Sequence, residues 1–195
     1  TTNEATVTKT AGGVARNIAN QLALFDVPVE LISVFGEDSD GDWLKFVCAQ
    51  AGVGISGSIT KKGLSGKYTG IISEDGALFT AFLTNAANHL ITPEHLQSQR
   101  DLLVNASFIL ADANVSVESI DWLLAFSLET GIPFIIEPVS VPPARKLYNR
   151  NLRGLYLITP NEDELPALCN TGAATMEEQI EELLGRGVHK IWLHR

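Results

Sequence analysis

The stretch FILADANVSVESIDWLLAFSLETGIPFIIEP, residues 108–138, reads as a strand, a helix and a strand in that order. FILA (108–111) is a short apolar run bounded by polar residues, the pattern of a buried strand. Ser116 to Thr130 reads as a helix that ends at Gly131, and PFII (133–136) as a second buried strand. A strand–helix–strand unit implies parallel neighbours in a sheet whose faces are covered. Working outward, the rhythm repeats. Thr92-Pro93 is a good helix start, because Thr can cap and Pro is tolerated at the first helical position. Pro142 opens a short helix, and LYLI (155–158) is another strand. Thr175 and Glu178 have the spacing of a capping box for a helix running to Gly185, and HKIWLH (189–194) reads as a last strand.

Toward the N-terminus, Ala15, Ile18, Ala19, Leu22 and Phe25 recur at helical spacing in a helix emerging directly from Ala11-Gly12-Gly13. VPVELISVFG (27–36) reads as a strand, and Leu44, Val47, Cys48 and Ala51 mark a helix closed by Gly52. The following GVGISGSITKKGLSG (52–66) is too rich in glycine to be regular. KYTGII (67–72) and ALFTAFL (77–83) break the alternation: they are β-prone runs separated by Ser73-Glu74-Asp75-Gly76, whose Asp-Gly is a hairpin signal. With the alternating ATVTK (5–9) they are expected to form a small sheet of their own. No repeat, low-complexity tract or linker divides the 195 residues, so one α/β domain is expected.

With 45% hydrophobic and 19% charged residues, the chain has the composition of an ordinary core former. Its formal charge of −9 and lack of any basic cluster argue against nucleic acid or an anionic membrane as partner. Cys48 and Cys169 lack metal-ligand spacing and read as reduced, buried thiols, which fits a cytoplasmic protein. No apolar run reaches the length of a membrane span, and TTNEATVTKT lacks the features of a signal peptide. The missing initiator Met, and an end on a strand at Arg195, lead us to expect a longer natural chain.

Three groups of residues could carry chemistry. Gly12 and Gly13 at a helix N-terminus let a ligand approach unpaired N–H groups, with the Asn17 carboxamide one turn in; taken alone, a tight turn with Asn17 solvated is the plainer reading. In TPNEDEL (159–165), Asn161 and Glu164 are three apart, as if on one helix face, where carboxamide and carboxylate could hold a hydrated divalent cation beside phosphates. Capping by Asn161, with the acids favouring the helix dipole, is the plainer alternative. Asp112 and Asn114 follow one strand and Glu137 another, so with Glu164 three strand ends contribute polar groups, as in the site of a doubly wound sheet. Asp38, Asp40 and Asp42 lack full calcium-loop spacing and read as a polar loop and helix cap.

Together, AGGVARNIA (11–19), the GEDSDG loop (36–41), the interposed hairpin and TPNEDEL resemble the PfkB or ribokinase-like family of sugar and nucleoside kinases. The glycine pair, Asn17 and Gly36 look like that family's first signature, and Asn161-x-x-Glu164 is similar to its magnesium and phosphate motif. Asp26 departs from the pattern, standing where a small residue, usually Gly, is typical. The resemblance implies a three-layer α/β/α fold with a mostly parallel sheet and a small β lid at about residues 1–10 and 64–88. It implies ATP as donor, Mg²⁺ as charge bridge and room for a monovalent cation. It implies that Gly12, Gly13 and Asn17 hold sugar hydroxyls, Asp112 and Asn114 lie near sugar or base, and Thr69 reaches down from the lid. Asn161, Glu164 and Glu137 would organise phosphate and metal, with Glu164 toward the metal. The glycine-rich anion hole with the catalytic Asp is expected beyond Arg195, so the 195 residues alone are expected to be inactive. GGVARNIANQLAL, ILADANVS, PFIIEPVS and TPNEDEL look most like the family's pseudouridine kinase branch, implying phosphorylation of pseudouridine at the 5′ hydroxymethyl. Ribokinase, fructokinase and adenosine kinase types are alternatives, as is a noncatalytic sugar- or nucleoside-binding protein if the chain ends at Arg195. A homodimer through the lid is compatible with the resemblance.

Overall fold

The computed structural model describes residues 5–63, 65–84, 87–169 and 172–194. Its packing gathers into two compact units, Thr1–Leu31 with Phe35–Ala86, and Ile32–Val34 with Ala87–Arg195.

In the first unit, α1 (Val14–Leu24) starts at Gly13, whose φ of 98° suits glycine, and ends through Phe25 into Asp26 at φ 58°. The left-handed conformation at Asp26 explains why a glycine is the natural occupant of this helix end. β1 (Val34–Gly36) is all that forms of the strand expected over 27–36. Pro28 has no N–H for a ladder, and Glu30 makes a single bridge to Gly54. α2 (Ser39–Gln50) is capped by Asp38, which accepts from the Gly41 N–H at 2.8 Å, so the acidic loop is a helix cap as its sequence indicated. Gly41 is required by space: an added Cβ would lie 2.1 Å from the Gly36 carbonyl oxygen. The glycine-rich stretch after α2 holds one short strand, β2 (Ile59–Lys61), paired with β1. Ala19, Leu31, Phe35, Cys48 and Val53 form the buried core of this unit.

β3 (Lys67–Ile72) and β4 (Leu78–Thr84) form the expected antiparallel hairpin and a separate two-stranded sheet. Its turn closes through Ser73 N–H to the Ala77 carbonyl at 2.9 Å, with Gly76 at φ 85°. Residues 5–9 add no strand to it; this corrects the three-segment expectation. Their alternating pattern is met by no neighbouring ladder, and Lys9 turns to Asp40 instead.

In the second unit, β5 (Ile109–Asp112), β6 (Phe134–Glu137), β7 (Leu155–Ile158) and β8 (Lys190–Ile191) form one sheet in that order, every pair parallel. β8 is shorter than the HKIWLH run; past Ile191 the Trp192 N–H reaches the Ile158 carbonyl at 2.9 Å and His194 bridges to Asn161. α3 (Pro93–Ser98), capped by the Thr92 hydroxyl, and α4 (Arg100–Val104) lead into β5. α5 (Val117–Thr130), the crossover from β5 to β6, is capped by Ser116 and stops at Gly131 in the left-handed conformation. α6 (Val141–Ala144) and a 3-10 turn lead to β7, and α7 (Leu165–Leu168) and α8 (Met176–Gly185) lead from β7 to β8. α8 starts with the predicted capping box of Thr175 and Glu178.

Phe126, Phe134, Ile120, Ile136, Leu155 and Ile158 are fully buried in one core between sheet and helices, each contributing about 1.5–3 kcal/mol by leaving water. At the N-terminal edge of the sheet the Arg186 guanidinium donates to the carbonyls of Arg150 (2.9 Å), Leu168 (2.7 Å) and Leu147. Those carbonyls lie where helices and turns end and helical partners run out; the Leu147 carbonyl also accepts from the Arg150 N–H at 3.3 Å. Among the described residues, no helix is long and apolar enough to cross a membrane.

Asp26→Gly should raise stability by roughly 0.5–1 kcal/mol, because glycine takes the left-handed conformation without the Cβ penalty. Chemical denaturation of both proteins checks this; an unchanged or lower midpoint would show that Asp26 is not strained.

Candidate functional site

Parallel pairing brings the C-terminal ends of β5, β6 and β7 to one edge of the second unit. Asp112 and Glu137 are in register, and Ile136 beside Ile158 sets Thr159 next to Glu137. Asp112 is buried, and its Oδ1 accepts from the Asn114 N–H at 3.0 Å. The half-buried Asn114 carboxamide projects from the same turn. Lys146 braces this loop, its Nζ donating to the carbonyls of Ala113 (2.9 Å), Asn114 (3.1 Å) and Val115 (2.9 Å). Burial pulls the Lys146 ammonium below its ordinary pKa, and the Asp112 charge opposes that shift.

Glu137 is held at both oxygens: Oε1 accepts from the Val139 N–H at 3.2 Å, and Oε2 accepts from the Thr159 hydroxyl. Val139 has φ 74°, and Ser140 N–H reaches back to the Pro138 carbonyl at 2.9 Å, forming a γ-turn of the rare positive-φ kind. A β-branched residue there is strained by roughly 1–3 kcal/mol, a cost tolerated only where the surroundings impose it.

Asn161 and Glu164 do not share a helix face, which corrects the sequence reading: residues 161–164 form a turn, and α7 begins at Leu165 with Pro166 in its first turn. The turn brings them together by reciprocal bonds. Asn161 Oδ1 accepts from the N–H groups of Asp163 (3.0 Å) and Glu164 (2.8 Å), and Glu164 Oε2 accepts from the Asn161 N–H at 3.0 Å. Glu178 makes the same i,i+3 return bond to Thr175 at 3.2 Å while exposed to solvent. Glu164 is 4% exposed. Burial raises its pKa; the Asn161 N–H opposes this, the Glu137 charge adds to it, His194 opposes it and Asp163 adds to it. Capping does not require an acid to be buried beside a second acid. Something cationic would offset that arrangement.

The donor set fits a hydrated Mg²⁺. Its oxygens are hard carboxylate acceptors, and Mg²⁺ is held by one or two carboxylates together with phosphate and water. Among the described residues, no three His, Cys, Asp or Glu side chains group to hold a metal by themselves. A depression of about 470 Å³ at the other edge of this sheet, lined by Arg150, Arg153, Arg186 and Gly187, is rich in cations. Arg186 is spent on carbonyls, and Arg150 on Asp121 and the Lys146 carbonyl. Carboxyl ends of parallel strands are where such sheets bind ligands, which makes the β5–β7 edge the candidate site.

In the first unit, Gly12 and Gly13 precede α1. Arg16 folds back on their loop, donating to the carbonyls of Gly12 (2.8 Å) and Ala11 (2.8 Å) and to the Asn17 carboxamide oxygen. Asn17 and Gly12 are exposed, and an added Cβ at Gly12 would meet nothing within 4 Å. Thr69 lies on β3 opposite Phe82 and is exposed. Sequence reasoning missed the bracing residues Arg16, Lys146, Val139 and Thr159. Each acts through backbone carbonyls, one neighbouring carboxylate or a backbone angle, and none of these leaves a spacing pattern.

The chain is thus an α/β protein with a glycine loop opening a helix in one unit and polar groups at successive parallel strand ends in the other. Residues 1–191 match the pattern of the pfkB family carbohydrate kinases, and the chain belongs to that family. It is 33% identical, over 97% of its length and 52% of the relative's, to the uncharacterized sugar kinase YeiI of Escherichia coli (strain K12). It is 29% identical to a pseudouridine kinase of the same organism, over 87% of this chain and 53% of that protein. A solved carbohydrate kinase from Agrobacterium tumefaciens superposes with a TM-score of 0.79 at 25% identity, covering 94% of this chain and 59% of that one. The chain spans about half the length of the curated relatives it matches.

The contrast between the two capping glutamates makes a prediction without any ligand. Glu164→Gln keeps the acceptor for Asn161 and removes a buried charge, so the melting temperature should stay level or rise. Glu178→Gln removes an exposed first-turn acid and should cost about 0.3–1 kcal/mol. A clear loss of stability in Glu164→Gln alone would mean that its charge serves the fold.

Proposed function

We propose that the whole protein is an ATP-dependent kinase that phosphorylates the hydroxymethyl group of a ribose-like compound, with pseudouridine converted to its 5′-phosphate as first choice. The observation that carries the kinase reading is the buried Glu164 carboxylate, clasped by Asn161 and repelled by Glu137, at the mouth of β7. Asn161, Glu164 and Glu137 are assigned to the phosphates and Mg²⁺, with Glu164 as the residue that would hold the metal. Mg²⁺ bound there would supply neutralisation of the charge on the phosphate oxygens during transfer. Gly12, Gly13 and Asn17 are assigned to acceptor hydroxyls, and Asp112 and Asn114 to the sugar or base. The proton-accepting base is assigned to no residue of this chain.

The hairpin supports a lid role. Tyr68, Phe79, Phe82 and Leu83 are each more than half exposed, and apolar side chains stand on both faces of a sheet too small to be stable unaided. Thr69 on one face would reach the acceptor as the lid closes and excludes water, while the other face would meet a second copy in a homodimer. Cys48 and Cys169 are free and buried, which fits the cytoplasm as its compartment.

Pseudouridine rests on the likeness to the pseudouridine kinase of Escherichia coli together with ILADANVS and IIEPVS at the β5 and β6 mouths. ADP release by the whole protein should be faster with pseudouridine than with ribose, fructose or adenosine. A clear preference for a free sugar would remove the pseudouridine assignment and leave the kinase reading; no ADP release with any acceptor would remove both.

A further inference from the structure

The first turn of α2 carries contacts that neither capping nor the phosphate site requires. The Asp38 carboxylate that caps α2 also accepts from Ser65, through its hydroxyl at 2.7 Å and its N–H at 2.9 Å, and the same hydroxyl accepts from the Gly36 N–H at 3.1 Å. Ser65 is buried, two residues before β3. One residue into the helix, Asp40 is ion-paired with both Lys9 and Lys67. Lys67 is the first residue of β3, and Lys9 stands two residues before Ala11, where the glycine loop begins; its ammonium also lies 4.3 Å from the Trp43 ring centroid. The Ser65 hydroxyl, then the Ser65 and Gly41 N–H groups, hold Asp38 as a carboxylate with a pKa of about 2. β3 and β4 pack chiefly on each other, so the contacts at their root bear on where the hairpin points.

We infer that Asp38 and Asp40 form a latch that fixes the root of the hairpin and the approach to the glycine loop to one helical turn, making Asp40 a positioning residue for acceptor binding. The inference rests on the lid reading given above. Breaking the latch frees the hairpin and the 5–10 segment together, which loosens acceptor capture and leaves the phosphate site untouched.

The test uses the whole protein with Asp40→Asn, which keeps the shape and removes the charge. Asp42→Asn is the control, since Asp42 sits in the same turn and, among the described residues, pairs within α2, with Lys45 at 3.7 Å. In Asp40→Asn, amide hydrogen exchange should accelerate over residues 5–10 and 65–72, and the acceptor KM should rise roughly two- to fivefold, the scale of a partly exposed ion-pair network, with little change in kcat. Raising salt should move the wild type toward the variant. Asp42→Asn should do none of this. Exchange in Asp40→Asn no faster than in Asp42→Asn would overturn the latch. Faster exchange with an unchanged acceptor KM would overturn the positioning role and the lid reading with it, while ADP release would still report on the kinase reading separately.

Discussion

A carboxylate withdrawn from water at the end of a parallel strand must be answered by positive charge or by hydrogen bonds; among the described residues Glu164 receives the Asn161 N–H, with the Glu137 charge against it and His194 partly offsetting that. The local structure is arranged around that imbalance. The Asn161 carboxamide turns the chain so that the glutamate points inward, and Thr159 and Val139 hold Glu137 at both oxygens. The parallel register of β5, β6 and β7 then sets these groups on one edge with Asp112. A cation at this edge would relieve both carboxylates and draw phosphate to it, which connects a fold-level constraint to the chemistry proposed.

The surrounding contacts brace the strand ends of the candidate site. Lys146 uses its ammonium on three consecutive carbonyls of the loop after β5, and the γ-turn at Val139 holds an angle that a β-branched residue avoids in isolation. Fixing polar groups in advance limits the reorganisation that binding and phosphoryl transfer would otherwise require. The hairpin differs: it is tied at its root and exposed along both strands, which suits an element that moves.

Much of this was legible in the sequence because the signals were local. LYLI became β7 at the expected residues, Thr175 and Glu178 formed the expected capping box, and the Asp-Gly signal marked the hairpin turn. Non-local decisions were not legible. VPVELISVFG had the composition of a strand, yet a strand needs a partner along its length, and this run found a ladder at its last three residues and a single bridge at Glu30. ATVTK had the right alternation and no ladder to join. At the candidate site, the residue types at the strand ends could be read from sequence, whereas the burial that sets Glu164 apart from the exposed Glu178 depends on tertiary packing. The bracing side chains Arg16 and Lys146 were silent for the same reason.

The most direct test of the account is kcat as a function of Mg²⁺ concentration, at saturating ATP and acceptor, for the whole wild-type protein and for Glu164→Gln. A carboxylate that organises metal and phosphate predicts a variant that melts normally and binds acceptor normally, with kcat lower by about 10²–10³-fold and a greater demand for Mg²⁺. An unchanged kcat with an unchanged Mg²⁺ dependence would contradict it, and would reduce Asn161 and Glu164 to the turn that starts α7.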